Sequence, residues 1–166
     1  MYSKIDEFLS DWQYETECTL KYFSLISDKD VHKKYHPQVR SMGRLAWHLT
    51  ETISEMLNRT GLKVHGPGED DLIPWTMSKM IDSYKASAAS AAEQVKANWT
   101  DASLEEKVNM YGEEWTKGMV LTTLVLHQAH HRGQLSIVMR MAGIKVPGVY
   151  GPANEEWEAI GQKPQE

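Results

Sequence analysis

Two histidines four residues apart, His127 and His131, stand in the run Leu126-His127-Gln128-Ala129-His130-His131-Arg132-Gly133-Gln134. On a helix that spacing puts both imidazoles on one face, one turn apart, where two ring nitrogens can converge on a single cation at about 2.0–2.1 Å each. At about 100° per residue, Val120, Leu124, Leu135 and Val138 surround the same direction, so the pair should emerge from an apolar stripe that faces a helical core. Burying two imidazoles is costly unless each ring is hydrogen-bonded or ligated. Ordinary hydrogen bonds in a core or rim are one answer to that cost, and a divalent metal ion is the other.

A third ligand has to come from another element, and His48 is the best candidate. It lies on the shoulder of an apolar stripe, beside Ser41 and Thr52 and about 100° from Leu49, where a side chain can reach a neighbouring helix. His48, His127 and His131 without a thiolate or carboxylate would form an open site, with one or more positions left for water or substrate. Zn²⁺, Ni²⁺ and Fe²⁺ all suit such a site, and ligand type does not choose between them. An ion in an open site makes a bound water or thiol acidic enough to act as a nucleophile near neutral pH.

The remaining polar groups narrow the chemistry. In His-Glu-x-x-His metalloproteases a glutamate follows the first histidine as general base; here that position is Gln128, which disfavours protease chemistry. Glu51 and Glu55 lie near His48 and could supply a carboxylate, but exposed glutamate is the default, so they read as a solvated helix face. His32, His36 and His65 fall in expected loops and read as surface residues, whereas a supporting or substrate-facing role is open to His130. No Gly-rich phosphate loop, Cys-x-x-Cys pair or nucleophile elbow is present.

The elements that must position these residues are four long helices. The spacing predicts one from about Ser3, as N-cap, to Ile26, with Ile5, Phe8, Leu9, Trp12, Thr16, Leu20 and Phe23 on its inner face. A second is expected from about Ser41 to Thr60, with Met42, Leu45, Ala46, Leu49, Ile53, Met56 and Leu57 as its stripe. A third should run from a Thr76 cap to about Trp99, rich in Ala and Ser that let neighbours approach closely. The fourth, about Thr116 to Met141, carries the histidine pair and ends where Gly143 can take the left-handed conformation. Between them, residues 28–37, 61–75 and 100–115 read as irregular; Lys107 to Tyr111 admits a short extended piece, but no strand pattern competes with the helices. A tail with Pro147, Gly148, Tyr150, Gly151 and Pro152 should not be helical, and Trp157 is placed to anchor it. The expectation is one all-α, four-helix bundle domain over residues 1–166.

Whole-chain properties exclude other classes. With 166 residues, 41% apolar and 25% charged, the chain can bury a core of its own. A net charge of −5 argues against nucleic acid as a main partner, since phosphate neutralisation needs a surplus of Lys and Arg. The longest strongly apolar stretch, Met119 to Leu126, is eight residues, against about 20 for a membrane-spanning helix. A single cysteine, Cys18, and an N-terminus without a basic-then-apolar leader fit a cytoplasmic protein. Six tryptophans and nine methionines exceed what one such core needs, which makes a homodimer or a lined pocket plausible.

Taken together, His127, His130, His131, Arg132, Gly133 and Gln134, with Leu45-Ala46-Trp47-His48-Leu49 and the series Gly143, Pro147, Tyr150, Gly151, resemble the DinB-like (YfiT-like, damage-inducible) four-helix bundle proteins of bacteria. The resemblance covers essentially the whole chain in matching order. It implies a ligand triad of one histidine on the second helix and two on the fourth, falling here on His48, His127 and His131. It further implies a left-handed, often dimeric bundle that binds Zn²⁺ or Ni²⁺, and relatives that act as thiol-S-transferases or isomerases with thiols such as bacillithiol, mycothiol or glutathione. Three functions follow as expectations: a metal-dependent thiol transferase, a non-enzymatic stress-response protein that binds metal or a small ligand, and, more weakly, metal-assisted hydrolysis, which would need a carboxylate base near the open position.

Overall fold

The structure, a computed structural model, describes residues 1–68 and 70–164. Four α-helices carry it: α1 (Ile5–Phe23), α2 (Met42–Asn58), α3 (Met77–Asn98) and α4 (Lys117–Met141). Helices α1 and α2 each pack against both α3 and α4, so the order around the bundle is α1–α3–α2–α4 rather than the order of the chain. That arrangement makes α2 and α4 neighbours and lets side chains from the two meet.

Each helix buries most of the face its spacing foretells; on α1, Leu9, Thr16 and Leu20 are only partly buried and Tyr22 turns inward instead. Phe8, Trp12, Tyr22 and Phe23 line the inside of α1, Leu45, Leu49, Ile53 and Leu57 that of α2, Met80 and Tyr84 that of α3, and Val120, Leu124, Leu135 and Val138 that of α4. Phe8 stacks on Trp12 with ring centroids 5.8 Å apart, and the Trp12 indole donates to the Ala88 carbonyl at 3.0 Å, tying α1 to α3. Small residues Ala88 and Ala91 are buried on α3, as close helix approach requires.

Helix starts divide into local and distant solutions. Ser41 caps α2 by accepting from the Arg44 amide at 3.2 Å, and Thr116 caps α4 by accepting from Met119 at 3.1 Å. Ser3 does not cap α1: the N-cap position is Lys4, which supplies no side-chain bond, and the Ile5 amide donates instead to Asp101 Oδ1 at 2.8 Å. Thr76 likewise makes no cap bond, and Met77 donates to Asp28 Oδ1 at 2.7 Å. In both cases a carboxylate from elsewhere in the chain serves the positive end of the helix.

The connection before α4 holds an antiparallel hairpin, β1 (Lys107–Met110) and β2 (Glu113–Thr116), where the sequence offered no strand pattern able to compete. Its turn residues Tyr111 and Gly112 both have positive φ, 57° and 90°, as a two-residue turn with the right twist requires. Tyrosine is unusual there, and its partners explain it: the hydroxyl donates to Glu55 at 2.8 Å and the ring lies 4.7 Å from the Arg59 guanidinium carbon.

Gly143, at φ 79°, ends α4 as expected, and the regular structure beyond it among the described residues is two short 3-10 turns. The tail is fastened less by Trp157, which is half-buried, than by buried Val146 and by Tyr150. The Tyr150 hydroxyl donates to Glu15 Oε1 at 2.6 Å and meets Arg132, while Tyr14 donates to the Val149 carbonyl. Among the described residues no helix is long and apolar enough to cross a membrane.

Candidate metal centre

His48 leaves α2 from the turn that faces α4, and His127 and His131 leave α4 toward it. The His131 Nε2 atom lies 3.2 Å from His48 Nε2 and 3.1 Å from His127 Nε2. Their ring centroids are 4.4–5.1 Å apart, and the three rings stand edge to face rather than stacked. One nitrogen from each ring thus points at a shared space, and the three histidines could hold a metal ion. Tetrahedral ligation at about 2.0–2.1 Å puts ligand nitrogens a little over 3 Å apart, which is the spacing of His131 Nε2 from the other two, and all three ligand atoms lie within 4.8 Å of one another.

The supporting contacts fix the chemistry of the central ring. Gln134 Oε1 lies 2.8 Å from His131 Nδ1, and Gln134 Nε2 lies 3.0 Å from His130 Nε2. An amide nitrogen can only donate, so His130 accepts there and the amide oxygen is turned to accept from His131 Nδ1–H. The Nε2 of neutral His131 is then left as a bare lone pair, the form a metal ligand needs. His130, exposed at the rim, thereby holds the amide that orients His131.

Burial keeps the cluster neutral. It drives the His48 pKa down to about 3, reinforced by the charge of Arg40, and the His127 pKa down to about 4, reinforced by His131. Burial also lowers His131, against the opposing Gln134 bond. Neutral imidazoles bind metal without first losing a proton. The rings do not sit at the middle of the buried stripe of α4, however. Gln128 and Arg132 are more deeply buried than His131, and His127 is half-exposed, so the cluster occupies the shoulder of the core, where small molecules can reach it. Gln128 has a structural task instead: its amide donates to the Leu49 carbonyl at 2.8 Å and accepts from the Tyr84 hydroxyl at 3.1 Å.

Glu51 and Glu55 are not the solvated face expected of glutamates on a helix. Glu51 is buried and ion-paired with Arg44 at 2.7 Å, with burial raising its pKa against that pairing. Its nearer oxygen is 4.0 Å from His48 Nδ1, on the side of the ring away from the other two histidines. Glu55 is held by Arg59 at 2.5 Å and by Tyr111. Both carboxylates are therefore engaged.

His32, His36 and His65 are exposed, as read from the sequence, but not equivalent. His32 stacks on Trp75 at 4.4 Å, whereas His36 lines a groove of about 540 Å³ that has His131 and Gln134 in its wall. Val39, Arg40, Leu45, Ile137, Val138 and Met141 complete most of that lining. The loop that carries Tyr35 to Arg40 is drawn onto α2 at Gly43, whose amide donates to Val31 O at 2.8 Å; a Cβ on Gly43 would meet that oxygen at 2.9 Å. Nothing in local spacing marks Arg40 or the groove, because the loop becomes a wall only once it packs beside α4.

On the far side of α4 the sequence reading missed Glu15. It is buried on α1 and bonds Arg132 at 2.6 Å, with Thr19 and the Glu15 carbonyl also accepting from that guanidinium. The signal was available, since Glu15 interrupts the apolar spacing Phe8, Trp12, Thr19, Tyr22 and acids are rarely buried unless paired.

Comparison with known proteins agrees with this architecture. The chain matches the DinB family over residues 1–166. It is 36% identical over 161 residues to the uncharacterized protein YrdA of Bacillus subtilis (strain 168), covering 97% of this chain and 96% of that one. A crystal structure of a DinB-like protein from Bacillus cereus ATCC 10987 superposes with a TM-score of 0.86 at 37% identity, covering 90% of this chain and all of that one (100%). A second DinB-like structure, YjoA from Bacillus subtilis, shares the fold at a TM-score of 0.69 and 16% identity, covering 86% of this chain and 97% of that one. A family match that runs from the first residue to the last, together with relatives more than one-third identical over nearly their full length, means that this chain belongs to the DinB family.

Proposed function

We propose that the protein is a divalent-metal enzyme that transfers a low-molecular-weight thiol to an electrophile, with His48, His127 and His131 as ligands and Zn²⁺ or Ni²⁺ as the ion. One observation carries the reading: three neutral imidazoles converge beside a groove of about 540 Å³ that shares His131 with them. Such a ligand set leaves the ion an open position, and a divalent ion there would make a thiol acidic enough to react as thiolate near pH 7. In the transfer, a carbon–sulfur bond forms, the bond from that carbon to its leaving group breaks, and the thiol proton leaves with the departing group or to solvent. The groove would bind the apolar part of the substrate and keep water from the reacting sulfur. Gln134 would hold His131 in the ligating tautomer.

Hydrolysis is less favoured, because Glu51 and Glu55 are committed to Arg44 and to Arg59 and Tyr111, leaving neither as a general base. We also place the protein in the cytoplasm, on its lone buried thiol Cys18, and as a homodimer, on the exposed apolar side chains Met119 and Leu126 of α4, which lie outside the groove.

The test is metal analysis of untagged protein purified without added metal, followed by assays of several thiols with a generic electrophile. Stoichiometric metal and turnover that chelator abolishes are expected. Metal without turnover across the panel would replace the enzyme with a non-enzymatic metal-binding protein, and turnover indifferent to chelator would remove the metal from the mechanism.

A further inference from the structure

The chain has five arginines, and four of them hold a carboxylate: Arg44 with Glu51 at 2.7 Å, Arg59 with Glu55 at 2.5 Å, Arg132 with Glu15 at 2.6 Å and Arg140 with Glu155 at 2.7 Å. Arg40 is the exception. Among the described residues it makes no ion pair or hydrogen bond, yet it lines the groove that opens onto His131. It is exposed, but its charge acts on all three histidines of the cluster.

The charges around that groove do not balance. Three neutral imidazoles contribute no negative charge to offset a divalent ion. The carboxylate nearest the cluster, Glu51, is already taken by Arg44. A second donor stands near Arg40: His36 accepts the Gln38 amide at Nδ1 (3.2 Å), so its neutral ring carries the proton on Nε2. Val39, Leu45, Ile137, Val138 and Met141 supply the apolar part of the same lining.

The geometry points to Arg40 as a specificity-determining residue: the small molecule this site takes is an organic acid, its carboxylate held by Arg40, its apolar body against Val39, Ile137 and Met141, and its metal-seeking end beside His131. This rests on the reading of the histidine cluster as a metal site with an open position. A carboxylate suits the place better than a phosphate, because one arginine and one imidazole N–H match a singly charged, two-oxygen group, whereas a phosphate dianion in a largely apolar groove would leave acceptors unpaired. Arginine is also the side chain whose planar fork grips a carboxylate at two points.

The experiment uses Co²⁺-loaded full-length protein, whose visible spectrum reports a change of ligand at the ion. It is titrated with four- to six-carbon ω-mercaptocarboxylates and with the mercaptoalcohols of matching length. The acid should bind about tenfold more tightly than the alcohol, the scale of one partly exposed charge-assisted pair. Arg40→Gln should bring that ratio to about one, and Arg40→Lys should retain part of it. Arg40 lies on the surface, so both variants should fold, which their melting curves will verify. A ratio near one in the unmodified protein, or a ratio that survives Arg40→Gln, overturns the assignment. If no thiol perturbs the spectrum, the thiol-transferase reading fails by itself. Charge selection is then read calorimetrically from hexanoate against hexanol on the same variants, with the same ratio as criterion. Binding of neither probe, together with a dimer in sedimentation, would mean that a second copy of the chain covers the groove and would also overturn the assignment.

Discussion

His131 and Arg132 are neighbours in sequence and open onto two different polar clusters, one on each side of α4. Toward α1, Arg132 meets Glu15, Thr19 and Tyr150, and this cluster is closed: cation faces anion and both are buried. Toward α2, His131 meets His48 and His127, and this cluster is open: ring nitrogens of like character converge at the shoulder of the core. The closed cluster satisfies itself and so serves the fold, fastening the C-terminal tail and α4 to α1. The open cluster is oriented by Gln134 but has no opposite charge among its own members, which suits it to receive a cation.

The largest effect that would sharpen this contrast is expected from Arg132→Met. It strands the Glu15 carboxylate in the core and should cost about 3–5 kcal/mol. In a chain of this size that is a fall in Tm on the order of 10 °C. Metal content should survive wherever the variant folds, and the pair Glu15→Leu with Arg132→Met should recover most of the loss, because a matched apolar replacement leaves no buried charge. A fall in stability from Arg132→Met no greater than that of an exposed substitution would mean that the closed cluster is not structural.

Next comes His131→Ala. It should abolish stoichiometric metal while leaving the metal-free melting curve nearly unchanged. Chelator should lower the Tm of the unmodified protein by the binding contribution, about 2.7 kcal/mol when metal stands at 100 times its Kd, and should do nothing to the variant. Retained metal in His131→Ala would break the comparison outright.

A smaller effect is expected from Gln134→Leu, which removes the acceptor for His131 Nδ1–H but no ligand. Metal affinity should fall by about 10–100-fold, measured by competition with a chromophoric chelator, with no change in metal-free stability. The smallest is Tyr150→Phe, which removes one hydroxyl from the closed cluster. Denaturant unfolding should register about 1 kcal/mol, and metal affinity should not move. Should Tyr150→Phe weaken metal binding instead, the two sides of α4 would be coupled rather than separate.

Much of this was visible beforehand because it depends on local periodicity. The i, i+4 spacing of His127 and His131 survives any packing of α4, and the shoulder position of His48 follows from the stripe of α2. Helix boundaries were legible where the cap lies within the same few residues, at Ser41, Thr116 and Gly143. At α1 the cap falls on Lys4, one residue after Ser3, and at α3 Thr76 holds the cap position without a cap bond, because Asp101 and Asp28 arrive from distant parts of the chain to serve those helix starts. Of the hairpin, only a short extended piece at Lys107 to Tyr111 is legible, because the turn is Tyr-Gly rather than Asn-Gly, and the partners that make tyrosine tolerable there are Glu55 and Arg59 at the end of α2. Glu51 looked solvated for the same reason: only the folded chain brings other elements over it.

By itself, then, the amino-acid order determined four amphipathic helices and which of their histidines share a face, since both follow from the helical repeat. Tertiary structure alone decided that α2 lies beside α4, that His131 Nε2 comes within 3.2 Å of His48 Nε2 and 3.1 Å of His127 Nε2, and that the loop before α2 brings Arg40 to the wall of a groove. The reason is physical: periodicity sets the direction in which a side chain leaves its own helix, but the partner it finds there depends on packing between segments about 80 residues apart, which no local pattern encodes.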